Sequence, residues 1–263
     1  MRLMTWNINS VRLRAELVLK AASEARADVV CLQETKTPDE FFPHEVFDAA
    51  GFKYRHIHGM KSYNGVAILS KLPFQEVAVH HRVGREDCRH IAVKLDGVEL
   101  HDIYIPAGGD VPDPTLNDKF AHKLGFVDEL AAWFPRHYKS TSKLIAVGDF
   151  NIAPLPNDVW SHKQLLNVVS HTSVEVEKLE RFQKSLNWVD VGRHFVPEDE
   201  KLYTWWSYRN RDWKVSNRGR RLDHVWVTQP LQSSLKSHEV LTHARDWEKT
   251  SDHVPVAVEF ISF

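Results

Sequence analysis

Short apolar runs, each long enough for one β-strand and several closing on a polar side chain, constrain this chain more than any other feature. Leu3–Ile8, Val29–Gln33, Gly65–Ser70, Ile91–Leu95, Val98–Ile105, Leu144–Gly148, Leu222–Val227 and Val254–Phe260 are mostly rich in Val, Ile and Leu, bounded by polar or Gly/Pro turns, and predict strands. Helical spacing falls at Val11, Ala15, Val18, Ala22 and Ala25 behind Ser10 as a cap, and at Phe120, Leu124, Val127, Ala131 and Phe134 behind Thr115. A third helix is expected over Glu175–Leu186. Strands interleaved with helices indicate an α/β domain, and no repeat, low-complexity tract or composition shift marks a linker. At 263 residues, 43% of them hydrophobic, the chain can bury a large core, so one domain over residues 1–263 is expected.

The polar strand ends are the more informative part. Asn7 closes the first run, Glu34 follows the second and Asp149 ends the run that begins at Leu144. Groups projecting from strand ends can converge at one rim of a sheet, where α/β proteins commonly build sites. Hydrolysis of a phosphodiester needs an attacking water, stabilisation of charge on the phosphate oxygens and help for the departing oxygen, much of which hard oxygen ligands around Mg²⁺ or Mn²⁺ can supply. Suitable groups are Asn7 in Thr5-Trp6-Asn7-Ile8-Asn9, Glu34 in Leu32-Gln33-Glu34-Thr35-Lys36, Asp149 and Asn151 in Gly148-Asp149-Phe150-Asn151, Asp223 in Arg221-Leu222-Asp223-His224, and Asp252-His253 in Ser251-Asp252-His253-Val254-Pro255. Each alone has an ordinary alternative: a turn asparagine, a solvated or capping carboxylate, a core histidine. In Gly148-Asp149-Phe150-Asn151, residues two apart on an extended strand share a face and glycine permits close approach of a ligand, although a tight turn reads equally well. A histidine beside a carboxylate is a recurring way to fix a tautomer and tune a charge.

Lys and Arg total 34 against 35 Asp and Glu, so a polyanionic partner must be met by a local basic patch rather than by the bulk field. The best patch runs from Tyr203 to Arg221, where Tyr203, Trp205, Trp206, Tyr208 and Trp213 interleave with Arg209, Arg211, Lys214, Arg218, Arg220 and Arg221. Cations there can neutralise phosphates while aromatics stack on bases or wedge into an opened duplex, and the alternative is an aromatic hairpin with a solvated charged face. His56-Ile57-His58 and His80-His81 lack zinc-ligand spacing and are expected at the surface. Cys31, inside an apolar run, reads as a small buried hydrophobe, and a reduced, cytoplasmic compartment is expected. No apolar stretch reaches the roughly 18 residues that would span a bilayer, and no export signal opens the chain. A monomer without a membrane partner is expected.

Together and in this order, the five motifs resemble the exonuclease III family of the endonuclease, exonuclease and phosphatase superfamily, over essentially the whole chain. The resemblance implies a four-layer α/β sandwich, two packed mixed β-sheets flanked by helices. It implies a metal, Mg²⁺ with Mn²⁺ as a substitute, held chiefly by Glu34 with Asn7 nearby, Asp149 and Asn151 adjoining and Asp252 available. It further implies that Tyr104 in Tyr104-Ile105-Pro106 contacts the scissile phosphate, Asp149 activates or positions water, Asn151 and His253 stabilise charge and Asp223 orients His253. Whether Asp149 or the Asp223–His253 pair is the general base stays open. Trp205, Trp206 and Leu222 would line a pocket for a flipped-out abasic sugar with Arg209 near the DNA, although Tyr104 also reads as a buried aromatic. The implied substrate is double-stranded DNA containing abasic sites or 3′ ends, cut 5′ to the lesion, with 3′-to-5′ exonuclease and 3′-phosphatase activity. A phospholipid or inositol phosphate substrate and a non-catalytic DNA-binding module are the competing readings. Ser10, His90 and Ala107 depart from the residues common in relatives and bear on the grip on DNA.

Overall fold

In the computed structural model, which describes residues 1–261, every strand predicted from the sequence lies inside a sheet, and every edge strand is one that the apolar pattern does not announce. The strands are β1 (Arg2–Asn7), β2 (Val29–Gln33), β3 (Tyr54–His58), β4 (Val66–Ser70), β5 (Glu76–Val79), β6 (His90–Leu95), β7 (Val98–Ile103), β8 (Leu144–Asp149), β9 (Val189–Asp190), β10 (Asp223–Val227), β11 (Leu235–Val240) and β12 (Val256–Phe260). The helices are α1 (Val11–Glu24), α2 (His44–Ala49), α3 (Asp118–His137), α4 (His162–Leu165), α5 (Ser173–Ser185), α6 (Val191–Phe195), α7 (Trp213–Ser216) and α8 (Gln229–Gln232). One sheet has the order β11-β12-β1-β2-β4-β3 and the other β5-β6-β7-β8-β10-β9. Most interior strands are covered on both faces and largely apolar, whereas β3, β5, β9 and β11 pair on one side only and are partly exposed, with polar sequences in β3 and β11 and exposed Val77 and Val79 in β5.

Both sheets are mixed, since β1 and β2 are parallel, as are β7 and β8, while their other pairings are antiparallel. Their inner faces meet in a core that includes Leu3, Val29 and Cys31 from one sheet and Ile91, Val93, Leu100, Ile145, Val147 and Val225 from the other. Outside the first sheet, Met4, Trp6, Leu32 and Ala67 pack against Val11, Ala15 and Val18 of α1 and Phe47 of α2. Outside the second, Ile103, Ala146 and Trp226 pack against Phe126, Leu130 and Phe134 of α3 and Phe182 of α5. Helix, sheet, sheet and helix thus form the four expected layers. Truncating a fully buried Phe134 to Ala would cost roughly 3–5 kcal/mol, the scale for a large aromatic leaving a cavity.

The helix starts differ from expectation. Ser10 makes no side-chain cap; its φ of 87° instead turns its backbone N–H onto the carbonyl of Glu34 at 2.7 Å. Helix α3 is capped by Asn117, whose side chain accepts from Lys119 N, two residues beyond Thr115. Helix α5 begins in a Thr172–Glu175 capping box.

Topology explains the shared rim. Parallel β1 and β2 finish side by side at Asn7 and Gln33, and Glu34 follows. Parallel β7 and β8 finish at Ile103 and Asp149, bringing Tyr104 alongside, and antiparallel β10 starts with Asp223 directly opposite Asp149. Antiparallel β12 starts just after His253. Six chemistry-bearing side chains are therefore delivered to one edge of the sandwich.

Candidate active site

Asn7 stands at the centre of the rim. Its Nδ2 donates to Glu34 Oε1 at 3.0 Å and to Asp149 Oδ2 at 2.9 Å, while its backbone carbonyl accepts from Ser251 Oγ at 2.6 Å. Glu34 Oε1 also accepts from the Tyr104 hydroxyl at 2.8 Å, and Glu34 Oε2 pairs with Lys36 Nζ at 2.8 Å. Burial raises the Glu34 carboxyl, but Lys36, Asn7 and Tyr104 outweigh it and hold the group below its ordinary value. Tyr104 is itself pushed far up by burial and by Glu34, so it acts as a neutral donor. Arg89 covers the Tyr104 ring at 4.6 Å.

Asp149 is fully buried. Its Oδ1 accepts from the Asn151 backbone at 2.9 Å, and its Oδ2 lies 3.1 Å from Asn151 Nδ2 and 3.6 Å from His253 Nε2. The other ring nitrogen of His253, Nδ1, is 2.8 Å from Asp223 Oδ2, which also accepts from Thr204 Oγ1 at 2.6 Å. Burial raises Asp149 above the usual carboxylate range, against the pull of His253. For His253, burial alone would lower the ring, but Asp223 and Asp149 together push it up to about 10.

Left-handed backbone recurs at the rim. Asn9, Ser10, Glu34 and Asn151 all have left-handed φ, between 48° and 87°, a conformation non-glycine residues keep only where surroundings over-determine it. Gly148, at φ 133°, has a different reason from the one its motif suggests: a Cβ there would lie 2.1 Å from the Ile103 carbonyl, so the close neighbour is strand β7 rather than a ligand.

Beside these groups opens a cleft of about 570 Å³ bordered by Glu34, Asn151, His253, Trp205, Arg209 and Leu222. Asp252 lines it too, with its Oδ2 turned onto the Trp205 indole at 2.9 Å and no hydrogen bond to Glu34 or Asn7. Trp206 does not line the cleft: it is 3% exposed, packed with Tyr203 and Val254, because antiparallel pairing of Trp205 with Arg220 turns the neighbouring indole inward. Arg220 lines the wall instead, its Nη1 donating to Val169 O at 3.1 Å and to Ser170 Oγ at 2.8 Å. Arg221 leaves the basic patch altogether, buried and paired with Asp158 and Asp190 at 2.8 Å each. Arg209, Arg211, Lys214 and Arg218 remain exposed.

Several supporting residues escaped the sequence reading. Lys123, fully buried and paired with Glu175, donates to the carbonyls of Asn151 at 2.8 Å and Ala107 at 3.2 Å. Its position on the apolar stripe of α3, between Phe120 and Leu124, was the available signal. Thr204 and Ser251 carry no comparable signal, since only tertiary pairing gives them partners.

The donors gathered around Asn7 are two carboxylates and two amides, a hard oxygen set that suits a divalent cation of the Mg²⁺ kind. Two packed β-sheets with carboxylates, amides and an imidazole at a common rim define a hydrolase of phosphate esters. The chain belongs to the Endonuclease/Exonuclease/phosphatase family, whose sequence pattern it matches over residues 4–253. It is 27% identical over 272 residues to exodeoxyribonuclease III of Haemophilus influenzae, an alignment covering 99% of this chain and 100% of that one. Among solved structures it is similar to an AP endonuclease from Archaeoglobus fulgidus, with TM-score 0.91, 29% identity and 99% of each chain covered. A 3′ phosphatase from Neisseria bound to a product DNA hairpin gives TM-score 0.89 at 29% identity, again over 99% of each chain. Among the described residues no helix is long and apolar enough to cross a membrane.

Proposed function

We propose that this chain, as one domain, is a DNA repair nuclease that hydrolyses phosphodiester bonds 5′ to abasic sites and trims 3′ ends, including 3′ phosphates. The carrying observation is the continuous chain of contacts from Tyr104 through Glu34, Asn7, Asp149 and His253 to Asp223, opening onto a cleft walled by Trp205, Leu222 and Arg209. Glu34 and Asp149, with the amide oxygens of Asn7 and Asn151, would hold Mg²⁺, with Mn²⁺ as a substitute and Asp252 in reserve; when bound, the ion neutralises phosphate charge. Tyr104, a neutral donor beside Glu34, is placed to hydrogen-bond the scissile phosphate.

The arrangement favours Asp149 over His253 as the group that takes the proton from the attacking water. An imidazole with a carboxylate at each nitrogen is held in its charged form, and His253 has Asp223 on Nδ1 and Asp149 near Nε2. Such a ring donates to a phosphate oxygen; it has no lone pair with which to act as a base. Asp149, between Asn7 Nδ2 and His253 Nε2, is the remaining carboxylate placed to take that proton. Asn151, pinned through Nδ2 to Ile105 O at 2.9 Å, holds the loop after β8 against the cleft.

Cleavage compared across an abasic duplex, a duplex with a recessed 3′ end, a 3′-phosphorylated duplex, single-stranded DNA and an inositol phosphate tests the reading. We expect incision of the abasic duplex, abolished by chelator and restored by Mg²⁺. Cutting in chelator, or turnover of the inositol phosphate alone, refutes it.

A further inference from the structure

On the outer face of the second sheet, three histidines expected or overlooked as ordinary residues come together. His80 follows β5, His90 opens β6 and His101 lies in β7, and these strands are neighbours. His101 pairs across with Ala92, which shares a face with His90, and Ile103 on the same face packs against α3. Small side chains, Ala92 paired with Ala78, leave the space that the three rings occupy. His80 extends the edge by donating its backbone N–H to His90 O at 2.9 Å.

We propose that His80, His90 and His101 form a second metal site, separate from the catalytic cleft, for a late first-row divalent ion such as Zn²⁺, with water as the fourth ligand. One nitrogen from each ring lies within 4.8 Å of the other two. His90 Nε2 and His101 Nδ1 are 3.0 Å apart, against the roughly 3.3 Å that separates two ligands on one tetrahedral zinc. Nε2 of His80 is buried without a hydrogen-bond partner, a condition that native interiors rarely leave unexplained. An all-imidazole set selects zinc-like ions over Mg²⁺. Behind His101 Nε2, Glu99 Oε1 stands 3.6 Å away, the carboxylate placement that supports a metal-bound imidazole. Trp133 packs against all three rings, tilted to His80 and edge-on to His90 and His101, with centroids 4.7, 5.9 and 6.1 Å away.

The opposing group is Arg82, whose Nε donates to His90 Nδ1 at 3.1 Å. That contact keeps the His90 proton on Nε2, where it points at His101 Nδ1. Binding therefore moves this proton from Nε2 to Nδ1, with no net proton release, as Arg82 turns toward Glu129, to which it is already paired at 3.5 Å. Burial, with Arg82 beside them, keeps all three rings neutral, so each carries one lone pair, and the move of the His90 proton frees those of His90 Nε2 and His101 Nδ1 for the ion.

Chelator-stripped protein carrying Asp149→Asn, which weakens any binding at the cleft, should take up one Co²⁺ with the strong visible absorption of a tetrahedral ion, displaced by Zn²⁺. His80→Ala, a half-buried position at a sheet edge, should weaken binding at least about tenfold while the circular dichroism spectrum and Mg²⁺-dependent cleavage by the otherwise native enzyme stay unchanged. Arg82→Gln should tighten binding several-fold by removing the opposing charge. Zn²⁺ in excess should raise Tm by roughly 5–10 °C. Absence of the absorption, its survival in His80→Ala, or its loss only when His253→Ala is added overturns the proposal. Failure of the metal site leaves the nuclease reading intact, since DNA cleavage is scored separately.

Discussion

Two regions of this molecule bury histidine next to charge, with opposite results. At the rim, His253 lies between Asp149 and Asp223 and is pushed up to about 10 against the effect of burial. On the outer face of the second sheet, His80, His90 and His101 lie near Arg82, and burial and that cation act in the same direction, carrying His80 down to about 4 and the other two well below their ordinary value. Burial penalises the charged ring in both places; the sign of the neighbour decides. Under the functions proposed above, one region would offer a cation to a phosphate and the other lone pairs to a metal.

The largest expected effect separates the two regions by activity. Asp149→Asn or His253→Ala should lower kcat by about 10²-fold or more with the fold intact. Near-normal turnover in both, measured under single-turnover conditions, would remove the rim residues from the chemistry.

Changing the neighbour rather than the ring is a sharper test. Asp223→Asn leaves His253 in place but removes the carboxylate on Nδ1, so the ring should titrate below about 10, and kcat should fall on the order of tenfold. NMR titration of the metal-free variant reads the shift directly. An unmoved titration would mean that Asp149 alone sets the charge of His253.

The smallest effect concerns stability in chelator. The cluster rings have depressed values, so the unfolded chain binds more protons than the folded one as pH falls from 6.5 toward about 4 for His80, and stability is lost through that window. His253 has the reverse sign: its contribution is complete below 6.5 and is lost as pH rises through about 10. Denaturation midpoints should therefore drop at both ends, and a His90→Gln, His101→Gln double variant should flatten only the acidic limb. Flattening of both limbs would show that the two regions are not independent.

The interior of the fold was legible because burial on both faces leaves a strand no choice but an apolar run; β1, β2, β4 and β8 are cases. Edge strands such as β3 and β11 were not, because part of their surface meets water and their polar residues resemble loop sequence. Site residues at the ends of interior strands, Asn7, Glu34, Asp149 and Asp223, inherited that legibility. Residues that matter through tertiary pairing did not: Thr204 reaches Asp223 only once β10 is docked, and Arg220 replaces Trp206 on the cleft wall because of a pairing no local pattern encodes. His80, His90 and His101 are far apart for a zinc motif in sequence, and only strand adjacency joins them.

The antiparallel pairing of β12 with β1 has a bearing on when the molecule can begin to cut. His253 and the strand that seats it come late in synthesis, yet β12 occupies the middle of its sheet, between β11 and β1. A growing polypeptide thus carries Asn7, Glu34 and Asp149 long before it can close the ring of contacts around them.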